Sequence, residues 1–184
     1  MRIIAGQYKG RRLATPTNDD IRPTSDRTRE SVFNLLMHGK YNGEAIIDQH
    51  VIDLCCGTGA MGLEALSRGA RIATFIDKDK KSLELARSNV LHCGANSAAF
   101  FVQSDATRLP PAREAATLVL YDAPYTNAIL APSYASLKAS GWLADGALIV
   151  AEQSRNTEIA ALVGATLIDN RQYGKTRLLV YKLD

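Results

Sequence analysis

The segment Gly57-Thr58-Gly59-Ala60-Met61-Gly62 has the glycine spacing of a loop that lets a ligand approach the backbone closely. Glycine suits such a loop because the chain turns sharply and a Cβ atom would stand in the ligand's way. Asp77 lies twenty residues after Gly57, at the end of the next strand-like run. A carboxylate there can accept hydrogen bonds from both hydroxyls of a ribose. Together these features predict a site for an adenosine-containing cofactor.

The glycine spacing alone fits either a nicotinamide cofactor or S-adenosylmethionine, and Asp53 favours the second. A carboxylate four residues before Gly57 would repel a pyrophosphate, but it is compatible with a cationic sulfonium and ammonium. Asp105 and Ala106 follow a later strand, where an adenine edge can be read, although Asp105 alone is equally typical of a turn. The residues predicted to contact S-adenosylmethionine are Asp53, Cys55, Gly57, Thr58, Gly59, Asp77, Lys78, Asp105, Ala106 and Asp122.

The tetrapeptide Asp122-Ala123-Pro124-Tyr125 predicts chemistry on an amino group of a nucleic-acid base. Such an amine is a poor nucleophile because its lone pair is delocalised into the ring. The Asp122 carboxylate and a backbone carbonyl could accept its two N–H bonds and turn the lone pair toward a methyl group, which is catalysis by orientation and electrostatics. Pro124 fixes the backbone and Tyr125 offers a ring for base stacking. A plain strand-end turn is the alternative, and the glycine loop upstream favours the site.

The elements that position these residues alternate between strand and helix, which predicts an α/β protein. Helix-like segments at 61–67 and 80–92 separate the first strands, and Leu83, Ala86 and Val90 recur on one helical face. Such alternation indicates a mostly parallel sheet covered on both faces, with an antiparallel pair at its C-terminal end. The strand-like runs are 51–54, 72–76, 99–102, 118–121, 148–150, 165–168 and 177–181.

The region before the first central strand is predicted to be an extension of the sheet domain. Residues 3–5 and 12–14 flank a glycine-containing turn and predict a short hairpin. A polar loop follows, and Ser25 or Asp26 can then cap a helix that ends near Gly39 and Gly43. We therefore expect one methyltransferase domain over residues 1–184, with an extension at 1–43 and a cofactor-binding core at 44–184.

Composition predicts a cytoplasmic protein without a bound metal. No apolar run reaches the roughly 20 residues that span a bilayer, and the first ten residues lack the apolar core of a signal peptide. Three cysteines, Cys55, Cys56 and Cys93, form neither a disulfide framework nor a metal knuckle. The three histidines are scattered without ligand spacing, so no metal site is predicted.

The net charge of +3 is concentrated at the N terminus. Residues 1–30 hold seven basic and four acidic side chains, and the rest of the chain is balanced. Such a cluster suits contact with phosphates, although a merely solvated basic face is equally compatible with the composition.

Nine short segments, spread over nearly the whole chain, match those of one methyltransferase family. They are Arg2-Ile3-Ile4-Ala5-Gly6, Lys9-Gly10-Arg11, Arg22-Pro23-Thr24, Asp26-Arg27, Arg29-Glu30, Asp53-Leu54, Gly57-Thr58-Gly59-Ala60, Gly62-Leu63-Glu64-Ala65-Leu66-Ser67-Arg68 and Gly141-Trp142-Leu143. With them the chain resembles the RsmD family of bacterial 16S rRNA guanine-N2 methyltransferases. The N-terminal segments are the more specific ones, because many methyltransferases share the glycine loop.

The resemblance implies a Rossmann-like class I methyltransferase fold, S-adenosylmethionine at the glycine loop and the target guanine at residues 122–125. It also implies 16S rRNA of the assembling small ribosomal subunit as the partner, bound by a protein that we expect to be a monomer. The predicted RNA contacts are Arg2, Lys9, Arg11, Arg12, Arg22, Thr24, Arg27 and Arg29. Salt bridges that fix the first helix are the alternative role for Arg22, Arg27 and Arg29.

One residue departs from the family pattern, in which Asp is followed by two prolines and an aromatic residue. Ala123 replaces the first proline, so the backbone carbonyl is kept and the fixed φ angle is lost. We expect a less preorganised but active site. Two alternatives stay open: an adenine-N6 methyltransferase acting on DNA or RNA, and a non-catalytic RNA-binding assembly factor with the same fold. A nicotinamide oxidoreductase ranks last, since no hydride-transfer acid or base lies near the glycine loop.

Overall fold

The computed structural model describes residues 1–16, 26–122 and 129–184. These residues contain a seven-stranded sheet of order β3-β2-β1-β4-β5-β7-β6, in which the first five strands are parallel and β7 runs antiparallel to both neighbours. The mostly parallel sheet with an antiparallel C-terminal pair is thus confirmed. The strands are β1 His50–Leu54, β2 Ile72–Asp77, β3 Ala99–Gln103, β4 Ala116–Tyr121, β5 Leu143–Ser154, β6 Ala165–Tyr173 and β7 Thr176–Leu183.

Helices cover both faces of the sheet, as the sequence predicts. Buried side chains of α1, α2 and α3 pack into one apolar cluster, and those of α4 pack into a second cluster on the opposite face. The Leu83, Ala86 and Val90 face of α3 is buried as expected. None of the described helices is long and apolar enough to cross a membrane. The helices are α1 Asp26–Met37, α2 Ala60–Ser67, α3 Lys80–His92 and α4 Leu130–Ala139, and a 3-10 turn spans Asn96–Ala98.

The strand order places a crevice between β1 and β4. From β1 the chain proceeds outward through β2 and β3, and it then returns to build β4 and β5 on the other side of β1. Ligands of open α/β sheets bind beside the carboxyl ends of the strands where the order reverses in this way. Because β1 to β5 are parallel, the residues that follow these five strands meet at that edge.

The N-terminal hairpin is smaller than predicted. A single antiparallel bridge joins Arg2 and Arg12, and the backbone amide of Ile3 donates to the carbonyl of Arg11 at 3.0 Å. Two extended strands do not form in this segment because four amides of residues 4–8 bond α2 and not the opposite arm, although three backbone bonds do join the two arms. Its conformation therefore depends on the core beneath it.

Candidate cofactor and catalytic site

The glycine loop joins β1 to α2, and its glycines have different roles. Gly57 and Gly59 adopt left-handed φ angles of 51° and 76°, which other residues rarely adopt. A Cβ atom on Gly62 would lie 2.4 Å from Cε1 of Phe75, so this glycine lets α2 pack closely on β2. The loop thus has the tight turn and the close helix packing expected of a nucleotide-binding fold.

Asp77, at the end of β2, holds the loop in place. Its carboxylate accepts the amide of Gly57 at 3.0 Å with one oxygen and the amide of Asp79 at 3.0 Å with the other. Each carboxylate oxygen can accept a second hydrogen bond. The predicted role toward ribose hydroxyls is therefore compatible with its structural one.

Asp53 lies beneath the loop, 1% exposed, and accepts the amide of Gly62 at 2.8 Å. The pKa of this carboxyl is raised to about 7, mainly by burial; the bond from Gly62 opposes the shift and the charge of Asp77 adds to it. The carboxylate is thus a destabilised anion in the free protein. A cation bound above it would relieve that cost.

Cys55 follows β1 and has a left-handed φ angle of 63°. The pKa of its thiol is raised to about 12, mainly by burial and then by the charges of Asp77, Asp53, Asp122 and Asp105 in that order. The thiol therefore stays neutral and is a poor nucleophile. The four carboxylates give this edge of the sheet a negative electrostatic potential, which suits a cationic ligand.

Asp122 follows β4 and is partly buried. Burial raises its pKa well above the ordinary value, and the negative charges of Glu152 and Asp53 contribute next. Glu152, 8% exposed on β5, was not among the predicted site residues. Its signal in the sequence is a carboxylate directly after the apolar run 147–151. The predicted site residues Ala123, Pro124 and Tyr125 lie outside the described residues.

Two other predicted cofactor contacts have structural roles beside the loop. Thr58 is buried, with its hydroxyl 3.7 Å from the sulfur of Met1 and its carbonyl 2.9 Å from the side-chain amide of Asn89. Lys78 is exposed after β2, and its carbonyl accepts the Gln103 amide at 3.4 Å.

Asp105 adopts the turn that its sequence also suggested. One of its oxygens accepts the amide and the hydroxyl of Thr107, at 2.8 and 2.7 Å, and these bonds hold the pKa of Asp105 below its ordinary value. The carboxylate is exposed at the end of β3, so it remains accessible to a ligand. Ala106 is instead buried in the cluster on the α4 face.

The predicted RNA contacts divide into exposed and buried residues. Arg11 lies over the Tyr8 ring, 5.3 Å from its centroid, and donates to the carbonyl of His92 at 3.3 Å. Arg22 and Thr24 lie outside the described residues. The predicted contacts that are exposed in the structure are Arg2, Lys9, Arg11, Arg12 and Arg27.

Arg29 is a correction to the predicted RNA contacts, because its side chain is fully buried. It donates to the carbonyl of Arg2 at 2.6 Å and to the carboxylate of Asp26 at 2.9 Å, and it lies 3.7 Å from Glu64. Sequence proximity to Arg22 and Arg27 suggested a shared function, but Arg29 points inward and fixes α1 to the N-terminal segment. The alternative role, a salt bridge, is the one it has.

Glu64 and Asn89 attach the N-terminal segment to the helices behind the cofactor loop. The buried Glu64 carboxylate on α2 accepts the amides of Ile4 and Ala5 at 2.8 and 3.0 Å. Asn89 on α3 bonds both the amide and the carbonyl of Ala14, at 2.8 and 3.1 Å. Because Asn89 also bonds the carbonyl of Thr58, this one side chain connects the N-terminal segment with the glycine loop.

Comparison with known proteins identifies the family. The family model described as Conserved hypothetical protein 95 matches residues 1–182. Ribosomal RNA small subunit methyltransferase D of Escherichia coli (strain K12) is 36% identical over 152 residues, which cover 83% of this chain and 74% of that protein. The solved structure of yhhF from Escherichia coli has 31% identity and a TM-score of 0.84, covering 100% of this chain and 98% of that one.

The fold also extends to more distant proteins. An RNA methyltransferase from Salinibacter ruber, solved in complex with S-adenosyl-L-homocysteine, is 18% identical with a TM-score of 0.64, covering 88% of this chain and 94% of that one. That likeness shows a common Rossmann-like methyltransferase fold. On the match over residues 1–182 and the identity to the Escherichia coli protein, the chain belongs to the family of ribosomal RNA small subunit methyltransferase D and is a methyltransferase.

Proposed function

We propose that this protein transfers a methyl group from S-adenosylmethionine to the exocyclic N2 amine of a guanine in 16S rRNA. The observation that carries the proposal is that Asp53, Asp77, Asp105 and Asp122 lie at or just after the carboxyl ends of four adjacent parallel strands, on both sides of the switch point between β1 and β4. The name of the Escherichia coli relative supports small-subunit rRNA as the substrate.

The residues of the glycine loop fit S-adenosylmethionine. When bound, this cofactor supplies an electrophilic methyl group on a positively charged sulfur. Asp77 would accept hydrogen bonds from the ribose hydroxyls, and Asp105 from the adenine amine. Asp53 lies beneath the loop, where its charge attracts the cationic end of the cofactor. The Salinibacter ruber methyltransferase, which shares this fold, holds the demethylated form of the same cofactor.

Replacing Asp53 with asparagine should separate cofactor affinity from stability. We expect the Kd for S-adenosylmethionine to rise about ten- to a hundredfold, because a charge-assisted interaction is lost. The ligand-free variant should unfold several degrees higher than wild type at pH 8, since it lacks a buried anion whose pKa is raised to about 7. In wild type, the destabilisation caused by ionised Asp53 is absent below the ordinary Asp pKa near 4 and complete above about 7. The difference in Tm between Asp53→Asn and wild type should therefore grow as the pH rises.

Isothermal titration and thermal unfolding at several pH values measure both effects. Asp48→Asn is the matched control, because this exposed aspartate precedes the opposite end of β1. If Asp53→Asn binds S-adenosylmethionine as tightly as wild type does, Asp53 does not contribute to cofactor binding. A Tm below that of wild type at pH 8 would contradict the assignment of Asp53 as a destabilised anion.

Asp122 acts on the other reactant. Its carboxylate accepts an N–H bond of the guanine amine and holds the nitrogen with its lone pair toward the methyl group. Transfer would form the N–C bond as the bond between the methyl carbon and sulfur breaks, with the thioether S-adenosylhomocysteine as the leaving group. The nitrogen would then be cationic and would lose a proton, which the carboxylate can accept because its pKa is raised. The base must leave its stack to reach this edge of the sheet. From the sequence we assign contact with the extruded base to Pro124 and Tyr125, and acceptance of the second N–H of its amine to the carbonyl of Ala123.

We assign residues 1–43 to RNA binding and residues 44–184 to catalysis within a single domain. Phosphates of 16S rRNA would be contacted by the exposed Arg2, Lys9, Arg11, Arg12 and Arg27. We assign the same role to Arg22 and Thr24 from the sequence alone. We propose that a monomer acts in the cytoplasm on the assembling small subunit. The attachment of this segment to α2 and α3 would then orient the RNA relative to the cofactor loop.

The direct test is methyl transfer from labelled S-adenosylmethionine to 30S particles that lack this modification, followed by nucleoside analysis. We expect labelled N2-methylguanosine in 16S rRNA. N6-methyladenosine would instead assign the protein to the adenine amine. Absence of transfer, with cofactor binding and rRNA binding both intact, would identify a non-catalytic RNA-binding protein with this fold.

A further inference from the structure

Glu152 lies beside Asp122 at the edge of the sheet where the parallel strands have their carboxyl ends. In the parallel pair of β4 and β5, Tyr121 is opposite Ala151, so the next residue on each strand is Asp122 or Glu152. Side chains alternate between the faces of a sheet. Leu120 and Val150, two residues earlier, are opposite each other and pack in the cluster formed with α1, α2 and α3. Both carboxylates therefore point toward the sheet face that carries the glycine loop.

The two carboxylates share a largely dehydrated environment. Glu152 is 8% exposed, and its partner on β7 is the buried Leu178. Its negative charge is, after burial, the largest influence on the raised pKa of Asp122. Two neighbouring carboxylates at low exposure repel each other and are costly to keep ionised. A ligand that presents several N–H donors to both would offset that cost.

We infer that Glu152 is a specificity-determining residue that accepts the N1–H of guanine while Asp122 accepts the N2 amine. The inference rests on the proposed function and deepens it. Guanine presents only donors along this part of its edge, N1–H beside the N2 amine. Adenine presents its N6 amine beside N1, which is an acceptor. Ionised carboxylates only accept hydrogen bonds, so two side by side complement guanine and repel N1 of adenine.

A substrate analogue removes the donor that Glu152 is assigned to accept. In 2-aminopurine the exocyclic amine at position 2 is kept, N1 carries no proton and O6 is absent, so the comparison with a Glu152 variant is needed to assign a loss to N1. After the target guanosine has been located by product mapping, 30S particles can be assembled with 2-aminopurine ribonucleoside at that position. For the wild-type protein we expect kcat/KM to fall about ten- to a hundredfold on the analogue, because one charge-assisted hydrogen bond is lost.

The variant Glu152→Gln keeps the shape of the side chain and can donate an N–H to N1 of the analogue. We expect its preference for guanosine over 2-aminopurine to be at least about tenfold smaller than that of wild type. Asp145→Asn is the matched control, because Asp145 is exposed near the start of the same strand and its replacement should leave the preference unchanged. Thermal unfolding and S-adenosylmethionine affinity verify that each variant is folded.

The outcomes separate this inference from the proposed function. If wild type methylates guanosine and 2-aminopurine equally well, Glu152 does not read N1–H, whether or not the variant folds. An equal loss on both substrates in Glu152→Gln would make the residue structural and overturn the inference while N2 methylation stands. Transfer to adenine N6 would overturn both, since a protonated Glu152 would then donate to N1. No transfer by wild type to guanosine in natural particles would overturn the proposed function itself.

Discussion

Asp122→Asn is expected to lower the single-turnover rate of methyl transfer at least about a hundredfold. The amide keeps the shape of the side chain and one oxygen acceptor. It loses the negative charge that stabilises the cationic nitrogen formed during transfer, and it cannot accept a proton in the way that a carboxylate can. We expect the Kd for S-adenosylmethionine to change less than about tenfold, because Asp53, Asp77 and Asp105 remain.

Quench experiments with saturating particles and labelled cofactor measure the rate, and Asp145→Asn provides a control for loss of a carboxylate from the sheet. If Asp122→Asn retains more than a tenth of the wild-type rate, Asp122 does not have the proposed role in methyl transfer. The pH profile gives a second readout. Because burial and the charges of Glu152 and Asp53 raise the pKa of Asp122, wild-type activity should fall with decreasing pH well above the ordinary Asp range near 4.

Much of the local geometry of the candidate cofactor site could be predicted from the sequence because the residues involved are close along the chain. The glycine loop, Asp77 and the helix that follows form one β-α-β unit, and helix α3 begins and ends where its apolar period predicts. The fold of such a unit is determined by the spacing of glycine, apolar and acidic residues within a short stretch of the chain. Asp53 was predicted as a ligand-facing charge, and the structure adds that it also holds the amide of Gly62.

The features that the sequence did not predict depend on contacts between distant segments. Glu152 becomes part of the site only through the pairing of β4 with β5, which brings it beside Asp122. Arg29 resembles its exposed basic neighbours in the sequence, but Glu64, on a different helix, draws it into the core. Helix α4 was missed because small and polar residues interrupt its apolar pattern and Pro132 lies in its first turn.

Because the N-terminal segment is attached to α2 at Gly6, we expect a substitution of Gly6 to have a large effect on stability. Gly10 provides the matched control. Both glycines adopt left-handed backbone, with φ angles of 81° and 83°, so alanine at either position costs about 1–2 kcal/mol of backbone strain. A Cβ atom on Gly6 would lie 1.7 Å from the carbonyl oxygen of Ser67, whereas one on Gly10 would have nothing within 4 Å. The difference between the two variants therefore isolates the contact with α2.

Gly6→Ala must displace residues 5–8 from α2, because the amides of Gln7 and Tyr8 bond the carbonyl and hydroxyl oxygens of Ser67 at 2.8 and 2.9 Å. Loss of these bonds, and of the amide donated to the buried Glu64, should lower the free energy of unfolding by at least about 2 kcal/mol more than Gly10→Ala does. Urea unfolding measures this difference.

If residues 1–43 bind RNA as proposed, the same displacement should reduce kcat/KM for 30S particles at least about tenfold relative to Gly10→Ala, because the basic residues would no longer hold the RNA in register with the cofactor loop. The Kd for S-adenosylmethionine shows whether the displacement of residues 5–8 also alters the glycine loop. If Asn89 keeps Ala14 and Thr58 in place, S-adenosylmethionine binding should stay close to wild type while RNA methylation falls. Equal effects of the two alanines on stability and methylation would mean that docking on α2 is dispensable, and the N-terminal segment would then bind RNA independently of the core.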